Sequence, residues 1–156
     1  MNETPRRALR HLVSICSIAG TVAAAHATTR SAHLATLDVT VVGFNGREGQ
    51  AIVALYDSPE RWLDMTRAAQ VRRVPITDSV ITVHFVDLTP GTYAVSALHD
   101  RNANGKLDMR YFPRPRPAEG VGVSNDAFRA LGPPSWNGAR FTLAEHDSAM
   151  TLRLRY

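Results

Sequence analysis

The chain has 156 residues, which is enough for one domain with a single hydrophobic core, and its hydrophobic content of 44% argues against disorder of the bulk of the chain. The formal net charge of +4 falls to +2 without residues 1–27, which hold three arginines and one glutamate, so the charge does not indicate a nucleic-acid-binding protein. Cys16 is the one cysteine and lies in this first stretch, which excludes disulfides and thiolate metal sites from the remainder.

The first 27 residues have the features of a cleavable signal peptide. Arg6, Arg7 and Arg10 give a positive start, residues 12–25 are mostly apolar, and Ala25-His26-Ala27 fits a small-x-small cleavage site. A buried or anchoring helix is the alternative, but the run is short for a membrane span. We expect a periplasmic or extracellular protein with no transmembrane segment after cleavage.

A mobile leader is predicted for residues 28–35, followed by one β-sandwich domain over residues 36–156. Alternating apolar residues at 37, 39 and 41 predict a half-buried strand, and those at 51, 53 and 55 predict a second one. The turn residues at 45–49 between them favour an antiparallel hairpin.

The middle of the chain alternates between turn signals and strand signals. Residues 57–60 resemble a helix start, which predicts a short helix ending near residue 69. Residues 71–76 predict an edge strand, because Pro75 cannot donate to a sheet. Residues 81–85 and 93–97 predict two further strands, joined by a type II turn in which Gly91 takes a positive φ.

The carboxyl-terminal part begins with a long loop, predicted over residues 109–138 because strand periodicity is weak and proline and glycine are frequent. Two last strands are predicted at 139–143 and 149–156, with Tyr156 pointing into the core. The whole pattern predicts an all-β fold, an antiparallel β-sandwich of about seven strands, prealbumin-like or Ig-like, with one short helix and one long irregular loop.

One polar loop has the residue spacing of a site for a hard cation. Oxygen-bearing side chains alternate and a glycine, Gly105, permits the sharp bend that lets them converge, as in calcium-binding loops. The bidentate glutamate of such loops is missing, and Glu119 or Asp126 is a conjectural replacement. The alternative is a simple turn in which Asn and Asp bond their own backbone. The predicted calcium ligands are Asp100, Asn102, Asn104, Lys106 (by its backbone carbonyl) and Asp108.

Four arginines of the long loop form a second candidate feature. They predict a patch for an anionic envelope component or an acidic protein, although a solvated charged face is the alternative. Exposure of Tyr111, Phe112 and Trp136 would favour a binding surface. The arginines are Arg110, Arg114, Arg116 and Arg129.

Several motifs together resemble the secreted bacterial family called domain of unknown function 2141. The resemblance covers residues 37–156 and implies a prealbumin-like or Cna-B-like sandwich and export, but no activity. The sequence departs from the family pattern at Val121, at Val123 and in the arginine-rich stretch 110–116. The matching motifs are Phe85-Val86-Asp87-Leu88-Thr89-Pro90-Gly91-Thr92-Tyr93, His99-Asp100, Asn104-Gly105-Lys106-Leu107-Asp108, Gly122, Ser124-Asn125 and Gly132-Pro133-Pro134-Ser135.

These observations favour an exported, non-catalytic binding or structural module of unknown ligand, stabilised by calcium at residues 100–108. No serine has a nucleophile-elbow pattern and no loop has a phosphate-binding pattern, so no catalytic or cofactor-binding residue is assigned. The alternative is a periplasmic enzyme or small-ligand carrier with a pocket under residues 109–138, for which His99, Asp100 and Glu119 are the candidate groups.

Overall fold

The structure is a computed structural model and describes residues 33–156. The predicted signal peptide and residues 28–32 of the predicted leader lie outside this range. Ten strands follow one another in chain order: β1 (Ala35–Val42), β2 (Gln50–Tyr56), β3 (Gln70–Pro75), β4 (Val80–Leu88), β5 (Gly91–Asp100), β6 (Met109–Arg110), β7 (Arg116–Pro117), β8 (Gly120–Val123), β9 (Phe141–Leu143) and β10 (Ser148–Arg153).

The first sheet has the strand order β10-β1-β4. β1 alternates between buried and half-buried residues over its whole length, as expected for a strand with one face on the core. It pairs antiparallel with β4 and parallel with β10, so that Leu37 lies beside both Phe85 and Ser148. Ala35, which the sequence assigned to the mobile leader, is already part of this strand and is buried.

The second sheet has the order β3-β2-β5-β8, and β9 pairs with the start of β5. β3 is an edge strand, as Pro75 predicted. The inner face of this sheet meets the inner face of the first sheet in one hydrophobic core, which confirms the predicted β-sandwich. The main contributors are Leu37, Val39 and Val41 of β1, Val83 and Phe85 of β4, Val53 and Leu55 of β2, Val95 of β5 and Leu152 of β10.

The outer face of the second sheet is covered as well. Residues of β2 are buried on both faces, from Ala51 through Tyr56. Tyr56, on the outer face, packs edge-on against Trp62 at 5.2 Å between ring centroids, and Trp62 packs against Trp136 at 6.0 Å. The chain after β2 and the long loop therefore supply a layer of side chains on this face.

Two local predictions near the amino end are wrong. β1 and β2 do not form a hairpin, because the turn between them carries the chain from one sheet to the other. The predicted helix at 57–69 is only a 3-10 turn, Pro59–Arg61, in which Ser58 makes no capping bond with its side chain. The chain leaves helical geometry at Trp62, whose ψ is 126°, and Leu63 follows with a φ of +64°.

Three further predictions need correction. The stretch 109–138 is not irregular throughout, since it contains β6, β7, β8 and the start of a four-residue α-helix, α1 (Trp136–Ala139). Gly91 has no positive φ; the left-handed residue in this region is Asp87, at +58°, which lies within β4 before the turn. Strand β10 ends at Arg153, and Tyr156 is 49% exposed instead of lying in the core. No helix among residues 33–156 has the length and apolarity needed to cross a membrane.

Candidate functional site

Three buried polar side chains, those of His99, Asp100 and Glu119, lie where β5 ends. His99 is fully buried at the last inward position of this strand. Its Nε2 is 3.0 Å from the Glu48 carbonyl oxygen, which can only accept, so Nε2 carries a proton. Its Nδ1, 2.6 Å from the Tyr156 hydroxyl, then accepts from that hydroxyl in the neutral imidazole. His99 therefore has a structural role in holding the chain end.

Tyr156, which is exposed, is the partner of His99 on the solvent side. Its hydroxyl also accepts a hydrogen bond from the Asn45 backbone N–H at 2.8 Å, so it links the chain end to the turn before β2. Desolvation raises the pKa of Tyr156, although the Asn45 bond and Arg101 oppose the shift. The hydroxyl is thus protonated at neutral pH and able to donate to His99.

Asp100, the next residue, is also fully buried. Its carboxylate accepts hydrogen bonds from the backbone N–H of Asn104 (3.0 Å) and of Gly105 (2.7 Å), which folds the following loop back onto the strand end. Gln50, directly opposite in β2, donates through its side-chain amide at 2.8 Å. Three donors thus replace the water that this carboxylate loses on folding.

The Asp100 loop (residues 100–108) brings the predicted side chains together. The side-chain amides of Asn102 and Asn104 donate to the two oxygens of Asp108, at 2.8 and 3.1 Å. Asn104 accepts from the Lys106 N–H at 2.8 Å, so Lys106 meets the cluster through its backbone. Gly105, with φ +77°, makes the predicted bend. That the carbonyl of Lys106 is a calcium ligand stays a prediction.

Glu119 belongs to this site, although the sequence predicted it only as a replacement for the missing glutamate and as a candidate group of the alternative function. It is 4% exposed, and its carboxylate accepts from the backbone N–H of Arg101 (2.8 Å) and of Asp108 (3.2 Å), which ties the two ends of the loop together. The one available signal was that Glu119 is the sole acid between Asp108 and Asp126. Asp126, the other conjecture, pairs instead with Arg155.

The arginines of the second predicted feature are all exposed, and so are Tyr111 and Phe112. Trp136 differs from the expectation, because it is half-buried against Trp62. It also lines an open depression of about 560 Å³, whose other walls include Asp57, Thr92 and Arg140. His99, Asp100 and Glu119 do not line it, so the candidate groups for catalysis and this depression lie apart.

Replacing Tyr156 by phenylalanine should lower the free energy of unfolding by about 1–2 kcal/mol, because His99 Nδ1 and the Asn45 N–H both lose their partner. Urea unfolding of the variant and of the wild type would measure this loss. Tyr111→Phe is the matched control, since Tyr111 is 74% exposed and its variant should unfold like the wild type. Equal midpoints for all three proteins would contradict a structural role of this hydroxyl.

Comparison with known proteins finds one family. The domain of unknown function 2141 family, described as an uncharacterized protein conserved in bacteria, matches residues 39–151. This match covers most of the chain, so the chain belongs to the family that its motifs predicted. No curated protein and no solved structure matches the chain.

Proposed function

We propose that this member of the domain of unknown function 2141 family is an exported, non-catalytic β-sandwich module whose Asp100 loop binds calcium. The proposal extends the family assignment, which carries no activity of its own. Export is supported by the charged start, the apolar run and the cleavage pattern of residues 1–27.

The observation that carries the calcium proposal is the convergence of Asn102 and Asn104 on Asp108. Each carboxylate oxygen and each amide oxygen has about two lone pairs. Each oxygen of Asp108 accepts one hydrogen bond from an asparagine amide, which leaves lone pairs free for a cation. A calcium ion in this position would replace the amide N–H groups as the partner of Asp108, with both asparagines turning their oxygens inward.

The buried carboxylates give further support. Asp100 and Glu119 are nearly inaccessible to water, and neither forms an ion pair within the part of the chain that the structure describes. A nearby divalent cation would offset the cost of burying two negative charges at one end of the sheet. In residues 33–156 no three His, Cys, Asp or Glu side chains form a metal cluster, so the proposed shell depends on amide and backbone oxygens as well.

The hydrogen bonds and the burial of the polar side chains support the non-catalytic part of the proposal. His99, Asp100 and Glu119 each bond to the protein's own backbone or side chains and are buried, so they are not presented to a substrate. The small-ligand carrier stays the alternative, and the depression beside Trp136 and Arg140 is the place that favours it. Its open shape suits weak binding better than enclosure of a ligand.

Adding calcium to chelator-treated protein should raise its melting temperature by several degrees and release heat in a calorimetric titration. At about one hundred times Kd, a ligand of the folded state adds ~2.7 kcal/mol of stability. Asp108→Asn should abolish the rise, because it removes the charge on which the loop amides converge. The matched control is Asp38→Asn, an exposed carboxylate of β1 that pairs with His84, and it should keep the full rise. A wild-type protein with neither heat nor a rise would refute the calcium proposal.

A further inference from the structure

The most exposed apolar side chains of the described chain include two at the tip of a small hairpin. This arginine hairpin (residues 109–117) is formed by β6 and β7, which pair Met109 with Pro117 and Arg110 with Arg116. Between the two strands, Tyr111 is 74% exposed and Phe112 is 89% exposed. Such aromatic side chains contribute large apolar areas when a partner covers them.

The charge of the arginine hairpin is uncompensated. It contains three arginines and no acidic residue. Arg110 and Arg116 lie directly opposite each other, an arrangement of like charges that destabilises a strand pair. Among residues 33–156 none of the ion pairs includes these arginines or Arg114. An anionic partner would relieve this repulsion.

The base of the arginine hairpin is fixed to the domain. The Ala118 N–H donates to the Asp108 carbonyl at 2.8 Å, just below the first strand pair. Glu119 then binds the N–H of Asp108 and that of Arg101, so the hairpin starts from the buried end of β5. A tip held on an ordered base loses less conformational entropy when it binds.

We propose that the arginine hairpin docks on an anionic phospholipid surface, with Tyr111 and Phe112 at the level of the headgroups and the arginines on lipid phosphates. Tyr111, with an apolar ring and a polar hydroxyl, favours this depth, Phe112 adds apolar area, and guanidinium groups bind phosphate oxygens in pairs. A stable protein interface buries about 800 Å² on each partner, more than two aromatic side chains at a narrow tip supply, which favours a bilayer over an acidic protein. The proposal names a partner for the exported module and so rests on the function proposed above.

Sedimentation with lipid vesicles tests this proposal on the full chain. The wild type should bind vesicles of phosphatidylcholine with phosphatidylglycerol, and bind more weakly to phosphatidylcholine alone or at high salt. The double variant Tyr111→Ser, Phe112→Ser should bind the anionic vesicles about tenfold more weakly or worse, from the apolar burial that it forfeits. The double variant Arg110→Gln, Arg116→Gln should lose the preference for anionic lipid. Both variants share residues 1–27 with the wild type, so the differences report the hairpin.

Leu131→Ser is the matched control, because Leu131 is 76% exposed and lies outside the arginine hairpin. It should bind vesicles like the wild type. Equal vesicle binding by the wild type and the aromatic double variant would overturn the proposal, as would binding of an acidic protein by the wild type with no binding of vesicles. The calcium-dependent rise in melting temperature, measured on the same samples, separates a failure of the calcium site from a failure of lipid docking.

Discussion

Replacing Gly49 by alanine should cost about 4 kcal/mol or more of the free energy of unfolding, an exceptional value for a single methyl group. Gly49 has a φ of +78°, and a Cβ atom there would lie 2.1 Å from the Asp100 carbonyl oxygen and 2.6 Å from that of Arg101. Both contacts are with backbone, so no side-chain rotation relieves them. The chain can accept the methyl group only by disturbing the end of the β2–β5 pairing, where Gln50 faces Asp100.

Gly132 offers a matched control for this experiment. Its φ of +80° is nearly the same as that of Gly49, but nothing lies within 4 Å of the position that a Cβ atom would occupy. Gly132→Ala should therefore show only the cost of the left-handed conformation, about 1–2 kcal/mol. Urea unfolding of both variants measures the difference. Similar losses for the two would mean that the close approach at Gly49 is unimportant.

The second large effect is expected for Asp100→Ala, which should lower the free energy of unfolding by about 3–5 kcal/mol even in the presence of a chelator. The variant leaves the Gly105 N–H and the side-chain amide of Gln50 without this acceptor beside a fully buried position, and the Asn104 N–H keeps only its bond to the Asn102 side-chain oxygen at 3.1 Å. Denaturant unfolding, followed by circular dichroism, would measure the loss.

Two further variants serve as comparisons for the stability loss of Asp100→Ala. Asp38→Ala removes an exposed carboxylate with one histidine partner and should cost less than about 1 kcal/mol. Asp100→Asn keeps one accepting oxygen and the side-chain shape, so its loss should fall between the other two. An Asp100→Ala protein as stable as Asp38→Ala would show that the carboxylate does not organise the Asp100 loop.

Strands with one solvent-exposed face were predictable from the sequence, because the alternation of apolar and polar residues involves only residues close together in the chain. Leu37, Val39 and Val41 alternate with Asp38 and Thr40, and the three apolar residues are fully buried. Strand β8 was missed, because two of its four residues are glycines, Gly120 and Gly122, and glycine contributes no hydrophobic period. Gly120 lies against the Tyr156 ring, where a Cβ atom would meet ring carbon at 2.4 Å.

Which strands pair, and whether the helix at 57–69 forms, depends on residues that are distant in the chain. Neither could be predicted from a short stretch of sequence. The glycines at 46 and 49 do mark a turn, but only the two sheets decide that β1 and β2 part there. The helix start at 57–60 is cut short while Trp62 packs on Tyr56 and donates through its indole N–H to the Pro134 carbonyl at 2.8 Å. Tertiary packing thus overrides a valid local signal.

The candidate site likewise has one part that was predictable from the sequence and one part that was not. The spacing from Asp100 to Asp108 and the bend at Gly105 were predictable, because they belong to one short loop. Gln50 reaches Asp100 through the register of two strands, and Glu119 reaches the loop across the arginine hairpin. Neither contact follows from the spacing of residues along the chain, so the buried half of the site was not predictable from the sequence.

The parallel pairing of β1 with β10 determines when, during synthesis of the chain, the first sheet can be completed. Leu37 has Ser148 as its neighbour, so the first sheet joins residues from nearly opposite ends of the domain. Until the last strand has been synthesised, β1 keeps one open edge that another chain could occupy. Contacts between such distant residues also form late and slowly. The first sheet therefore gains its last strand only when nearly the whole domain has been synthesised.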